Sequence, residues 1–265
     1  MIVALIADKY IRLVLVAGLL LFGLAGCVTS SESVFTEKAS SGKSLERRVE
    51  LARKYIGRGD WTNAKRNLKI AADVDPENAE VHEAFALVYQ STGEYELAEQ
   101  NYRAAIKINR NFSRARNNYA VFLFSQQRYE DAEEQLKFVV KDTLYNARPR
   151  AFLNLGLCRL QLSDPRGAEK AFLRTLSMDR TNAIALLEVA QLRYDEDDIP
   201  MASRYYQSYR RSVPQQPSRA LWLGIQISRK QGDLNAQGSY VLALTNLYPN
   251  SEEYQAYLRT IESDR

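Results

Sequence analysis

A period of about 34 residues runs through most of this chain of 265 residues and limits what it can fold into. Position 8 of each frame is Ala or Gly, position 20 is always Ala, and positions 7 and 24 are large and apolar. A unit of this length cannot bury its own apolar surface, so successive units must stack on one another. The six frames begin at Leu45, Ala79, Ser113, Pro149, Ala183 and Pro217.

The pattern inside each frame predicts a pair of antiparallel helices. Small residues at positions 8 and 20 let two helices approach closely, and the large residues at positions 7 and 24 fill the space beside that contact. Breakers in "RGDW", "TGEY", "LSDP" and "KQGD" mark the turns inside the pairs, and Pro76, Pro214 and Pro249 stand where second helices end. The sequence therefore predicts six all-α repeats at 45-78, 79-112, 113-148, 149-182, 183-216 and 217-250.

Residues 251-265 are predicted to form a capping helix and a short tail. Ser251 suits the N-cap position, and two acids follow it in the first turn. Apolar residues then recur at helical spacing, so one face of this helix can cover the last repeat. These residues are Tyr254, Tyr257, Leu258 and Ile261.

The first 26 residues read as a targeting segment. Lys9 and Arg12 precede an apolar run of about a dozen residues, which suits a signal peptide and is short for a membrane span of roughly 20 residues. The end of this run, "LAGC", matches the bacterial lipobox and predicts lipid attachment at Cys27. The alternative is a signal anchor with an incidental cysteine. Residues 27-44 are rich in serine and are predicted to be a flexible tether.

The residue inventory argues against catalysis and against a metal site. Cys27, Cys158 and His82 are the only cysteines and histidine, so zinc sites and Cys/His chemistry are nearly excluded. His82 and Cys158 are interpreted as packing residues. The acid clusters Glu130–Glu134 and Asp195–Asp198 are better explained by helix N-termini than by acid catalysis. No cofactor is predicted, and the net charge of +4 does not indicate nucleic-acid binding.

The first helices of the pairs are predicted to line a concave groove through positions 5, 9 and 12 of each frame. Several of these residues are apolar, which favours an apolar peptide or an amphipathic helix as the occupant. The alternative is that they pack against neighbouring first helices and are half-buried. The residues predicted to contact a protein partner are Val49, Arg53, Ile56, Leu87, Gln90, Asn117, Val121 and Phe124; Glu83, Leu153, Leu157 and Leu160 occupy the same positions.

The repeat pattern resembles the tetratricopeptide repeat, from Leu45 to about Asn250. That resemblance implies an all-α, right-handed α-solenoid of six tetratricopeptide repeats with a C-terminal capping helix. Two segments are more specific: "DTLY", which lengthens frame three to 36 residues, and "LYPNSEEYQ" near the end. With the lipobox, they resemble the PilF/PilW family of type IV pilus biogenesis lipoproteins, also called pilotins.

The resemblance implies a monomeric lipoprotein on the inner, periplasmic leaflet of the outer membrane, held there by lipid on Cys27. Its protein partners would be subunits of the pilus secretin, whose localisation and multimerisation it would promote, so that pilus assembly and twitching motility depend on it. The first repeats are predicted to hold the client. Alternatives are an adaptor for outer-membrane barrel assembly or for cell-wall hydrolases, and an accessory protein or inhibitor of an enzyme.

Overall fold

The computed structural model describes residues 41–263, and over this range it contains thirteen helices and no strand. The packing reported below lies within the unit that starts at Leu45. The helices are α1 Ser41–Ile56, α2 Trp61–Val74, α3 Ala79–Thr92, α4 Tyr95–Ile108, α5 Ser113–Ser125, α6 Tyr129–Val139, α7 Arg148–Gln161, α8 Pro165–Met178, α9 Ala183–Asp195, α10 Ile199–Ser212, α11 Ser218–Gln231, α12 Leu234–Leu247 and α13 Glu252–Ser263.

Each predicted frame contains one pair of these helices. The two helices of repeats two to six pack mainly on each other, and each second helix then packs on the first helix of the next repeat. This order confirms the predicted α-solenoid of tetratricopeptide repeats. One boundary differs, because α1 already begins at Ser41. The last four residues of the predicted flexible tether, 41–44, are therefore helical.

Small residues do allow close helix packing within the repeats. The side chains at position 20 are completely buried in repeats one to five, and those at position 24 are buried in all six. At position 8, a Cβ on Gly156 would overlap the ring of Phe172, and one on Gly224 would overlap Tyr206. Leu51 is the exception at position 7, with 38% of its surface exposed. No repeat precedes it in the described part of the chain to cover it.

The turn between the two helices of each repeat contains one residue in the left-handed region. Glycine takes this position in three repeats, at Gly59, Gly93 and Gly232. Residues with a side chain take it in the other three, namely Gln127, Ser163 and Asp197, with φ of 58–60°. The turn geometry is therefore set by the fold, since it persists where glycine is absent.

Position 4 carries a polar link in the first three repeats, where a large apolar residue is usual. Each link joins the first helix of a repeat to a side-chain amide at position 23 on its second helix. His82 also contacts the carbonyl of Pro76 at 2.9 Å, and Arg116 donates to that of Arg110 at 3.0 Å, so both tie their repeat to the preceding one. The pairs are Arg48–Asn67 at 3.0 Å, His82–Asn101 at 3.0 Å and Arg116–Gln135 at 2.6 Å.

The lengthened boundary after frame three is a compact connection between α6 and α7. The Asp142 carboxylate accepts a hydrogen bond from the Ser113 hydroxyl at 2.5 Å and one from the N–H of Leu144 at 3.0 Å. These bonds hold the pKa of Asp142 below its usual range. The Leu144 side chain points away from the core and is 89% exposed.

The C-terminal helix α13 caps the last repeat. The N–H of Tyr254 donates to the Ser251 hydroxyl at 3.2 Å, as expected for an N-cap serine. Tyr254 and Tyr257 pack against the buried cluster of repeats five and six. Between Ser41 and Ser263, no helix has both the length and the apolar character needed to cross a bilayer.

Candidate protein-binding groove

Two adjoining hollows lie along the first helices of repeats two to four. The first, the apolar pocket, has a volume of about 200 Å³ and is walled by α5 and α7. Val121 at its mouth is 41% exposed, so its side chain is accessible to a partner. The size suits one large apolar side chain of a partner. The pocket is lined by Ala120, Val121, Phe124, Leu136, Asn154, Leu157 and Cys158.

The second hollow, the amide hollow, has a volume of about 320 Å³ and shares Val121 and Asn154 with the apolar pocket. Asparagine and glutamine side chains dominate it. The Asn154 amide donates to Asn117 at 3.3 Å, and Asn117 donates to Asn118 at 3.4 Å. The Asn154 amide is therefore loosely held and can turn towards a peptide backbone, whereas Asn117 is only 1% exposed. The hollow is lined by Leu87, Gln90, Tyr102, Asn117, Asn118, Val121, Arg150 and Asn154.

A charged network beneath the amide hollow joins the first three repeats. Glu83 is completely buried and accepts hydrogen bonds from Arg53 at 2.5 Å and from the Asn118 amide at 2.6 Å. Arg114 lies 3.7 Å from the same carboxylate and 3.3 Å from Glu80. Two arginines thus balance two glutamates, so the network contributes little net charge to the groove.

Arg150 gives the amide hollow its positive character. Its side chain is exposed, and its guanidinium interacts with the Tyr145 hydroxyl. A tyrosine hydroxyl is neutral near pH 7, and burial raises its pKa further, so it does not offset the charge of Arg150. A carboxylate of a bound peptide would find a charge-assisted partner here.

The structure places the predicted groove residues in two groups. Leu87, Gln90, Val121 and Phe124 line the two hollows, and Asn117 borders the amide hollow but is only 1% exposed. The residues predicted in the first repeat are used for packing instead. Val49 is only 2% exposed and Ile56 packs beside the core of repeats one and two, while Arg53 is paired with Glu83. The prediction was wrong for Val49, because Leu45, Ala71, Val81 and Phe85 surround it.

The hollows therefore lie on repeats two to four and not on the first repeat. Among the residues at the same positions, Glu83 and Leu153 are buried, Leu157 lines the apolar pocket, and Leu160 packs beside the core of repeats four and five. The helical spacing identified the correct face of the first helices. Which repeats leave that face uncovered depends on the side chains of neighbouring helices.

Sequence reasoning missed the polar residues of the groove. Asn118 and Asn154 both occupy position 6 of their frames, and Arg114 and Arg150 both occupy position 2. The recurrence of these polar types in two adjacent frames was the available signal. It was overlooked because positions 5, 9 and 12 alone were assigned to the concave face.

The other candidate residues have structural roles. Cys158 is 1% exposed, which confirms its interpretation as a packing residue, and burial raises the pKa of its thiol to about 12. Asp198 caps α10 by accepting from the N–H of Met201, and Asp131 pairs with Arg128 in the first turn of α6. The predicted lipidation site, Cys27, lies outside the described residues.

These features define a class of protein. Stacked helix pairs with a mixed apolar and amide groove are typical of tetratricopeptide-repeat proteins, which bind protein partners. The tetratricopeptide repeat family model matches residues 49–111, 83–141 and 122–183.

Comparison with known proteins identifies the family. The chain is 37% identical to the type IV pilus assembly protein PilF of Pseudomonas aeruginosa over 241 residues, 90% of this chain and 95% of that protein. The solved structure of Pseudomonas aeruginosa PilF matches with a TM-score of 0.79 and 36% identity, covering 83% of this chain and 99% of that one. PilW, a type IV pilus biogenesis factor, matches with a TM-score of 0.68 and 25% identity over 81% and 98% of the two chains. The chain belongs to the PilF/PilW family.

Proposed function

We propose that this protein is a pilotin, an outer-membrane lipoprotein that binds subunits of the type IV pilus secretin and promotes their localisation and multimerisation. The observation that supports a binding role is the apolar pocket beside the amide hollow on repeats two to four. Family membership supports the pilus machinery as the client. The lipobox "LAGC" supports attachment to the outer membrane through Cys27.

The groove suits an extended or helical client segment of defined chemistry. A large apolar side chain would fill the apolar pocket, which is close to the size of one such side chain. The neighbouring amides would hydrogen-bond the client backbone, and an acidic side chain would pair with Arg150. Neutral amides give orientation at a lower desolvation cost than charged groups.

Deletion of the gene tests the client. Loss of heat- and detergent-resistant secretin multimers from the outer membrane, restored by the intact gene, is the expected result. Unchanged multimers would overturn the pilotin assignment. If a Cys27→Ser variant restores the multimers as well as the intact gene does, the secretin remains the client but lipid attachment at Cys27 is not required.

A matched pair of variants tests the groove. Val121 and Val74 are both helical valines with 41% and 47% exposure, but Val74 lies on α2, away from both hollows. Val121→Lys should abolish restoration of the multimers because it places a charge at the mouth of the apolar pocket, whereas Val74→Lys should restore them fully. Equal restoration by both variants would exclude this groove as the client site.

A further inference from the structure

A cleft on another face of the solenoid concentrates cationic side chains. It lies between the second helices of repeats two and three, α4 and α6, with α5 as its floor, and has a volume of about 500 Å³. Five cations line it: Arg103, Lys107, Arg110, Arg116 and Arg128. None of them lines the apolar pocket or the amide hollow.

Two of these cations are already neutralised. Arg128 pairs with Glu99 at 2.9 Å and with Asp131 at 2.7 Å, and Arg103 pairs with Glu99 at 2.7 Å. Glu134 also lines the cleft. Counting these three acids against the five cations leaves 5 − 3 = +2 at the cleft. Because this charge is concentrated in one concavity, its electric field is focused there and attracts anions.

The remaining three cations form no direct ion pair, although Arg116 lies close enough to Glu134 for an electrostatic attraction. Within residues 41–263, no carboxylate lies within ion-pair distance of Lys107, Arg110 or Arg116. The direct contacts of Arg116 are with neutral groups, namely the Gln135 side chain at 2.6 Å, the Arg110 carbonyl at 3.0 Å and the Phe138 ring at 4.1 Å from its centroid. Its guanidinium is thus fixed in place, and burial lowers its pKa.

The fold does not require this charge. In the equivalent cleft between repeats one and two, 34 residues earlier, the same five positions hold Lys69, Asp73, Pro76, His82 and Glu94. There the ion pair is reversed, with Lys65 and Glu94 at 2.9 Å in place of Glu99 and Arg128. At the next boundary, Lys137 and Lys141 stand in place of Arg103 and Lys107, but Phe152 and Asp164 replace Arg116 and Arg128. The cationic set is therefore particular to one of several equivalent clefts.

We propose that this cleft binds a phosphate-bearing anion, with Lys107, Arg110 and Arg116 as its cationic ligands. A phosphate monoester brings about −1.5 to −2 charges and three acceptor oxygens, which match the local charge of the cleft. A carboxylate brings one charge and two oxygens, so it would leave a cation unsatisfied. Arginine forks suit phosphate oxygens. The volume also leaves room for an organic substituent beside Ile106 and Leu123.

Calorimetric titration of the full chain in detergent with sn-glycerol 3-phosphate and with inorganic phosphate tests the proposal. The test variant is Lys107→Gln with Arg110→Gln, and the control is Arg204→Gln with Arg211→Gln on α10. Both remove two exposed arginine or lysine charges, so net charge is matched. The test variant should bind about tenfold or more weakly, because each charge-assisted contact is worth about that factor, and the control should bind like wild type.

Two further measurements, with vesicles and with a glutamate-rich peptide, are added. The vesicles distinguish a lipid phosphate from a soluble phosphate compound, and the peptide tests whether carboxylates bind instead. Vesicles of phosphatidylcholine with and without phosphatidic acid, whose headgroup is a phosphate monoester, show whether a lipid headgroup is accepted; the difference between test and control variants is the readout, since the N-terminal segment is common to both. Binding in either phosphate arm that depends on Lys107 and Arg110 supports the proposal. It is overturned if the test variant binds like the control, if no phosphate compound binds, or if a glutamate-rich peptide binds equally well through the same residues.

Discussion

Glu83 is a completely buried carboxylate that links three repeats through Arg53, Arg114 and Asn118. Glu83→Ala would leave the two guanidiniums with only the exposed Glu80 as a shared partner, and we expect it to lower the free energy of unfolding by about 3 kcal/mol. Glu83→Gln keeps the amide contact and should cost about 1–2 kcal/mol. Urea denaturation followed by circular dichroism measures both.

Glu80→Gln is the control, because it lies on the same helix with a side chain that is 54% exposed and pairs with the same arginines. We expect it to change stability by no more than about 0.5 kcal/mol. A Glu83→Ala variant as stable as this control would show that the buried network contributes nothing to stability.

Glu99 makes the stability of the protein depend on pH. Burial opposes its ionisation, but hydrogen bonds from Arg128 and Tyr119 outweigh that effect and hold its pKa below the usual 4.5. A depressed folded-state pKa gives stability that is present above the unfolded pKa and is lost as pH falls through the folded one. The stability difference between wild type and Glu99→Gln should therefore be largest at neutral pH and shrink below about pH 4.5.

Denaturant titrations at several pH values measure this difference. Glu96→Gln on the same helix is the control, since Glu96 is exposed, and it should change stability by less than Glu99→Gln does at neutral pH. A Glu99→Gln difference that grows in acid would contradict the assigned direction.

Single-residue burial was the least predictable property of the groove. Val49 and Val121 occupy positions 5 and 9 of their frames, and spacing alone predicted both to be open. One is 2% and the other 41% exposed. The difference comes from Leu45, Val81 and Phe85, which close over Val49. Side chains on neighbouring helices decide this, and the period of one helix does not contain that information.

The helix pairs themselves were predictable, because two helices can pack closely only where small residues recur at fixed positions. The role of position 4 was not predictable. Arg48, His82 and Arg116 looked like departures from the repeat, yet each forms a hydrogen bond to an amide at position 23. In repeats four to six, position 4 is apolar and position 23 holds Ala171, Tyr205 and Ser239. Positions 4 and 23 therefore change together between the first three and the last three repeats. This relation becomes evident only when the two side chains are seen in contact.

Close packing between helices α7 and α8 can be tested at one pair. A methyl group on Gly156 would overlap the Phe172 ring, so Gly156→Ala should destabilise the protein by about 1–3 kcal/mol. Repeats one and three combine Ala at position 8 with Leu at position 24. Adding Phe172→Leu should therefore recover part of the loss, with a coupling energy of about 1 kcal/mol in a double-mutant cycle.

Gly238→Ala provides the matched control within helix α12. No atom lies within 4 Å of the place where its Cβ would be, so the same substitution should stabilise the protein by about 0.5–1 kcal/mol. Thermal and urea unfolding measure all four variants. Additive effects of Gly156→Ala and Phe172→Leu would show that the ring is not the obstacle.

At the scale of the whole molecule, stability in a stacked repeat protein is a sum over neighbouring units, so damage at one end should stay local. Helix α13 packs mainly against α11, and its Tyr254 and Tyr257 cover the core of the last two repeats. Removing residues 251–265 would expose that core. Amide hydrogen exchange followed by mass spectrometry should then show faster exchange in α11 and α12 and unchanged exchange in α3 to α5.

The milder variant Ser251→Ala removes only the N-cap bond to Tyr254. It should speed exchange in α13 itself, with a loss of about 1 kcal/mol, and leave α11 unchanged. Because the groove on α3, α5 and α7 lies outside the affected region, both variants should still restore secretin multimers if that groove binds the client. Uniformly faster exchange in every helix would contradict local coupling. It would mean that the capping helix stabilises the solenoid, including the binding groove, as one cooperative unit.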